Sequence, residues 1–326
     1  MAPPERLPTV AVVIPTAGGR AALLRRALPR LLADPGTSEL IIVLDRDDSD
    51  TEAIVRWYAD ADPRVRWARS SGPTRPALSR EHGARDLGVR LAESQVILAL
   101  DDDVEPAFGL VSGHARHHVE RDAQVVVGYM PVVPPASRRG GLRATAQLYA
   151  NTYARECTRF RADPATVLVG LWGGNFSLPR HHWLRAARDM PGSAGYHVDR
   201  EFGLRLRRLG LNGVFDPNLR ADHWYRRSMP QLVNDARSSG QGVARLRAAY
   251  PELASLDPER PMALLLRPLV WASGHPWGWR LETGGLRAVA VVAAACRLPA
   301  VEYACVRTLW RLAAERGGRE ATVVSA

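Results

Sequence analysis

Four short apolar runs, separated by amphipathic stretches, constrain this chain more than any other feature. They are Val10–Pro15 (VAVVIP), Leu40–Asp45 (LIIVLD), the weaker Val65–Ala68, and Val96–Leu100 (VILAL). Between them, Ala21–Ala33, Thr51–Ala59 and Ala77–Glu93 read as helices, the last with Leu78, Leu87 and Leu91 on a helical period. Strands buried on both faces carry continuous apolar runs, and their alternation with helices predicts a parallel α/β sheet. Ligands of such sheets sit beyond the carboxyl ends of the strands.

Those ends are chemically loaded. The first run leads into Pro15-Thr16-Ala17-Gly18-Gly19-Arg20, the second ends at Asp45 within LDRDDSDT, and the fourth ends in Asp101-Asp102-Asp103. Any one of them reads as a solvated turn. Together on one sheet edge they describe an acid-lined crevice.

Composition removes several alternatives. The 326 residues contain no lysine, so all 44 basic residues are arginine. A Walker-type phosphate loop, a pyridoxal Schiff base, a protein kinase and a Ser-x-x-Lys hydrolase each need a lysine amine. The three cysteines, Cys157, Cys296 and Cys305, form no CxxC pair, so neither a zinc knuckle nor a disulfide framework is expected. The first ten residues, MAPPERLPTV, lack a secretory pattern, and the longest strongly apolar stretch, Ala288–Cys296, has nine residues. A membrane span needs about 20, so a soluble, cytoplasmic protein is expected. The formal charge of +10 is uneven: residues 1–137 carry 16 Arg against 19 acids, and residues 138–326 carry 28 Arg against 15 acids. The two parts therefore present different surfaces.

Five segments in order, over about residues 8–240, resemble the family-2 glycosyltransferases, nucleotide-sugar-dependent enzymes of the GT-A fold. They are VAVVIPT, IIVLDRDDSDT, SREHGARDLGVRLA, VILALDDDVEP, and the pair DREFGLRLRRLG and ADHWYRRS. The chain departs from the family pattern at Asp86, usually Asn, at Val198-Asp199, usually two acids, and at Ala17-Gly18-Gly19. The resemblance implies an α/β GT-A domain over 1–250, with a nucleotide-binding half over 1–135 and an acceptor half over 136–250. A helical C-terminal extension, 251–326, is expected to follow.

It also implies a metal-dependent, hexosyltransferase-type enzyme that moves sugar from a nucleotide diphosphate sugar to an acceptor hydroxyl. A divalent cation resolves the repulsion between an acid-lined crevice and a diphosphate, and Mg2+ or Mn2+ suits carboxylate and phosphate oxygens. Alternation along an extended chain would turn Asp101 and Asp103 to one ion and Asp102 aside, toward the donor. His223 matches a late histidine that completes the metal site in this fold. Pro15, Thr16, Asp45, Arg75, Asp101 and Asp102 are expected to line the donor pocket, with Arg75 at the nucleobase. Arg80 and Arg85 fit a phosphate contact and a solvated helix face equally. Trp172, Gly173, Gly174 and Asn175 are expected on the acceptor side. Asp199, at the start of a helix closed by Gly210, matches the family's general base for an inverting transfer; a retaining mechanism stays open.

Rival readings are a haloacid-dehalogenase-like phosphatase, a sugar nucleotidyltransferase and a basic nucleic-acid binder. The first two usually want a lysine, and the third wants clustered arginines and aromatics, so no nucleic-acid partner is expected. His114, His117 and His118 have metal-like spacing but no further ligand nearby, and read as a solvated helix face. The acceptor, whether small molecule, glycan or lipid-linked, is not encoded in a short motif. Residues 260–315, with Trp271, Trp277, Trp279 and flanking arginines, read in two ways. They either lie against the inner face of a membrane as a peripheral contact, or pack on the rest of the chain.

Overall fold

A computed structural model of the chain describes residues 7–70, 80–137, 141–188, 190, 195–257 and 276–324. The first elements follow the predicted alternation: β1 (Val10–Thr16), α1 (Ala21–Ala33), β2 (Thr37–Leu44), α2 (Ser49–Ala61), β3 (Val65–Arg69), α3 (Arg80–Leu91) and β4 (Val96–Leu100). β1 runs parallel to β2 and β4, and β2 parallel to β3. Every residue of β1 and β4 is buried, which is why both read as uninterrupted apolar runs. α1 buries Leu24, Ala27, Leu28 and Leu31, a stripe at helical spacing. α2 begins where the Asp48 carboxylate accepts from the Thr51 amide at 3.2 Å.

The elements that follow are β5 (Val104–Pro106), α4 (Leu110–His117), β6 (Gln124–Tyr129), α5 (Leu142–Ala162), β7 (Asn175–Pro179), α6 (Arg180–Arg188), α7 (Val198–Arg208) and β8 (Asn212–His223). They complete an eight-stranded sheet in the order β3-β2-β1-β4-β7-β6-β8-β5. This half is not parallel throughout: β7 is antiparallel to β4 and β6, β5 is antiparallel to β8, and only β6 and β8 pair in parallel. The buried Trp183 anchors the core beside the sheet, with Phe176 stacked at 5.5 Å and Phe202 at 4.7 Å.

The chain divides into two compact units. The first comprises Met1–Pro131, Glu156–Gly192 and Val198–Trp224 and holds the whole sheet; the second comprises Val132–Arg155, Ser193–His197 and Tyr225–Ala326. The expected boundary at 250 is thus displaced. Residues 225–250 group with the C-terminal helices because of what they bury. In this unit α8 (Met229–Ala249) and α9 (Leu253–Leu256) are followed by α10 (Pro276–Ala295) and α11 (Pro299–Val324). Leu148, Met229, Leu232 and Val233 share one core with Val306 and Leu309. α8 and α11 approach closely through glycines: a Cβ on Gly240 would lie 1.8 Å from the Ala314 carbonyl, and one on Gly317 would lie 1.9 Å from that of Arg237. Trp279 packs against this core with the Arg316 guanidinium 4.9 Å from its ring centroid, whereas Trp277 is exposed. Trp271 lies outside the described residues. No helix among the described residues is long and apolar enough to cross a membrane.

Candidate active site

The loop after β1 is shaped by two glycines in the left-handed region, Gly18 (φ 86°) and Gly19 (φ 69°). The Gly19 amide donates to Asp48 Oδ2 at 2.9 Å, the same oxygen that caps α2. A Cβ on Gly18 would lie 2.6 Å from the Asp48 Cβ, so a side chain there has no room. This turn places Arg20 at the start of α1, where its guanidinium reaches Asp102 Oδ1 and Asp103 Oδ2, each at 3.3 Å. Pro15 and Thr16 are buried in β1. Asp45, also buried, donates its amide to the Thr16 carbonyl at 2.8 Å, so the first two strand ends meet.

The acid triplet does not alternate as an extended chain would. The backbone leaves β4 at Leu100, and residues 102–103 form a turn before β5. Asp101 and Asp103, expected to face one ion, make different contacts within the chain. Asp102 and Asp103 share Arg20, while Asp101 Oδ1 accepts from Arg85 at 2.7 Å. The other arm of the Arg85 fork donates to Asp199 Oδ1 at 3.0 Å. Arg85 is only 1% exposed, which removes its reading as a solvated helix residue. Burial raises the Asp102 carboxyl above its usual range, against the opposing pull of the Thr16 hydroxyl and Arg20.

His223 reaches the triplet through sheet register. β5 pairs with β8 so that Val104 lies opposite His223, and the Trp224 amide donates to the Asp103 carbonyl at 2.8 Å. The His223 Nε2 consequently lies 3.3 Å from Asp103 Oδ1.

Asp199 stands in the first turn of α7, where the helix dipole favours a carboxylate. The Gly173-Gly174 turn makes room for both acids of the Arg85 fork. A Cβ on Gly173 would fall 2.3 Å from Asp199 Oδ2, and one on Gly174 would fall 2.5 Å from Asp101 Oδ2. Trp172 is half-buried beside this turn.

Asn175 is fully buried, and its amide donates to the Leu219 carbonyl at 3.0 Å. That bond fixes its Oδ1 as acceptor for His114 Nε2 at 3.0 Å, so His114 Nδ1 accepts from the Ser177 hydroxyl at 2.8 Å. His118 Nε2 then donates to the same Ser177 oxygen at 2.8 Å. The expected solvated histidine face is corrected: His114 and His118 are buried and neutral, pushed by burial down to about 3 and about 4. His117 alone of the three pairs with a carboxylate, Asp216, at 2.8 Å. Arg75 and the side chain of Arg80 lie outside the described part of the structure.

Arg20 and Arg85 are the site residues that periodicity and local spacing do not single out. Their one signal is an arginine beside each loaded strand end or its helix.

A mixed eight-stranded sheet flanked by helices, with the acid triplet at the end of β4 and His223 beside Asp103, has the architecture of the GT-A fold. The family model described as Glycosyl transferase family 2 matches residues 11–176, and the chain belongs to that family. The matched span includes the acid triplet and the Gly-Gly turn, and stops before Asp199 and His223. Among solved structures, the mannosyltransferase PcManGT from Pyrobaculum calidifontis, in complex with GDP-Man and Mn2+, aligns with a TM-score of 0.56 at 15% identity, over 99% of this chain and 89% of that one. GalNAc-T7, solved with UDP, GalNAc and Mn2+, aligns with a TM-score of 0.51 at 18% identity, over 78% of this chain and 53% of that one. Both likenesses are of fold. No curated protein sequence matches the chain. Family membership makes this a glycosyltransferase and takes the place of the phosphatase and nucleotidyltransferase readings.

Proposed function

We propose that this glycosyltransferase moves a hexosyl group from a nucleotide diphosphate sugar to an acceptor hydroxyl with inversion, using Asp199 as general base and a divalent cation at Asp103 and His223. The carrying observation is the pair of linked contacts at the strand ends. Asp103 faces His223 at 3.3 Å, and Arg85 ties Asp101 to Asp199. A carboxylate and an imidazole at this spacing suit Mn2+, and Mg2+ would lean more on carboxylate and water oxygens. The guanidinium of Arg20 across Asp102 and Asp103 supports the fit, because it shows positive charge seated on those oxygens. When bound, the cation supplies Lewis-acid stabilisation of the departing diphosphate, worth several kcal/mol.

The chain's own residues account for the rest. Asp102 holds the Thr16 hydroxyl and Arg20 beside buried Asp45, a polar pocket suited to ribose and base. Arg85 orients Asp199 through Oδ1, and the lack of a side chain at Gly173 leaves room beside Oδ2. That oxygen takes the acceptor proton as the nucleophile attacks from the face opposite the diphosphate. Trp172 offers a ring face beside the same turn for a sugar.

Asp103→Ala should abolish Mn2+-stimulated donor hydrolysis and transfer; full activity in excess chelator would exclude the cation. Asp199→Asn should lower kcat by about 10²–10⁴-fold, the usual share of a positioned base. Product NMR should give the anomeric configuration opposite to the donor's, and retention would remove Asp199 from this role. Thermal-shift titration of UDP, GDP and dTDP with Mn2+ identifies the nucleobase.

A further inference from the structure

α10 is apolar on two sides. Ala290 and Ala293 are buried in the core of the second unit, as expected of any packed helix. On the opposite side Trp277 (61%), Leu281 (69%), Val291 (62%) and Val292 (61%) are exposed, and Val289 lies beside them at 49%. At 3.6 residues per turn, 277, 281, 288, 292 and 295 fall on one stripe, filled by Trp, Leu, Ala, Val and Ala. No charged residue interrupts it over a helix about 30 Å long. Leu298 and Val301 are exposed just beyond it, after Arg297 turns the chain with φ 57°. A helix that faces only water carries polar residues on that side. The transfer chemistry uses none of these side chains.

The surrounding charge identifies the cover. Arg280 within α10 and Arg297 just beyond its end are exposed and flank the stripe in sequence. Glu282, Glu302 and Glu320 of α10 and α11 are largely neutralised or hidden: Glu282 is half-buried with its carboxyl raised by burial, Glu302 is buried, and Glu320 pairs with Arg237 and Arg316. An apolar stripe with a cationic rim and an indole at one end matches the boundary between anionic headgroups and acyl chains. A second copy docked on the same face by a two-fold axis would bring these arginine rims together, which costs energy.

We infer that the α10 face docks in the plane of an anionic lipid bilayer surface. Trp277, Leu281, Val291 and Val292 enter the acyl boundary, and Arg280 and Arg297 lie at headgroup level. The contact is peripheral, since no helix among the described residues can span a membrane.

Flotation with phosphatidylcholine vesicles, with and without about 30% phosphatidylglycerol, tests the inference, because each arginine responds to anionic lipid. The full chain should float with the anionic vesicles at low salt and be partly released as salt screens the rim. The exposed double variant Val291→Asp/Val292→Asp should keep the wild-type melting temperature and donor hydrolysis. Its vesicle partitioning should fall by at least about tenfold, because each of the lost aliphatic burials is worth that much. Brominated lipids should quench tryptophan emission, and Trp277→Phe should remove most of that quenching. Failure to float at low salt overturns the proposal, as does equal flotation of the double variant. It is also overturned if light scattering shows a dimer that the double variant converts to monomer, since a second copy then covers the face. Each of these failures leaves the donor and base assignments untouched.

Discussion

At the scale of single residues, the site depends on one buried guanidinium and on one glycine without a side chain. Arg85 holds two carboxylates on one planar fork, so Arg85→Lys keeps the charge but cannot reproduce both contacts. Its kcat should fall by about 10²-fold, as misplacement of a catalytic group by about 1 Å does, which steady-state kinetics beside a melting curve would measure. Gly173→Ala places a methyl 2.3 Å from Asp199 Oδ2 and must push that carboxylate aside. We expect kcat to drop while donor affinity holds, because the displaced group meets the acceptor rather than the nucleotide; isothermal titration with UDP or GDP separates the two. The acid triplet, Asp199 and His223 each sit inside a short run that the sequence singles out, and the structure brings Asp103 to His223 and links Asp101 with Asp199 through Arg85. The fork itself was not legible, because Arg85 finds its partners 16 and 114 residues away, and no period in a sequence records such a meeting. Asn175 has a buried hydrogen-bonding place that its local sequence does not record either. It follows a Gly-Gly turn, yet it begins β7, and its amide belongs to the Leu219 and His114 network.

At the scale of elements, that network ties α4 to β7 and β8 and makes stability depend on acidity. His114 and His118 titrate well below their ordinary value because burial disfavours the imidazolium. A base whose folded pKa is depressed stabilises the fold above its unfolded pKa and loses that contribution as pH falls toward the folded value. The unfolding free energy should therefore hold above about pH 6.5 and decline toward pH 4, by a few kcal/mol for each histidine on the scale of about 1.4 kcal/mol per pKa unit, and thermal midpoints should fall with it. His118→Asn should flatten that decline. A second prediction concerns the crossing of α8 and α11. Gly240→Val drives a side chain into the Ala314 carbonyl, a backbone atom that cannot swing away, and should cost about 3 kcal/mol or more in a denaturant melt. The early strands and helices were legible because β1, β2 and β4 are buried on both faces. β8 was not: its sequence NGVFDPNLRADH mixes exposed polar positions with buried ones, and it pairs with the short β5 near one end of the sheet.

At the scale of the molecule, the two units share the chain rather than divide it at one point. Removing residues 251–326 would leave Met229, Leu232 and Val233 of α8 without Val306, Leu309 and Ala313. A 1–250 fragment should accordingly be recovered as aggregate, or with α8 open to limited proteolysis, whereas the full chain resists. The motif resemblance ends near residue 240, inside α8, because motifs follow chemistry while compact units follow buried apolar area.

The strand order also has a consequence during synthesis. The edge of β4 is complete once Leu100 is made, but its neighbour β7 ends only at Pro179. At about 5–20 residues per second, a ribosome leaves that edge waiting for several seconds. Through this interval the nascent half-sheet β3-β2-β1-β4 presents one open row of amides and carbonyls on a strand whose side chains are all apolar. Yield of active enzyme should thus be governed by how fast translation passes from residue 100 to residue 179, and by whether a holdase covers the β4 edge until β7 arrives.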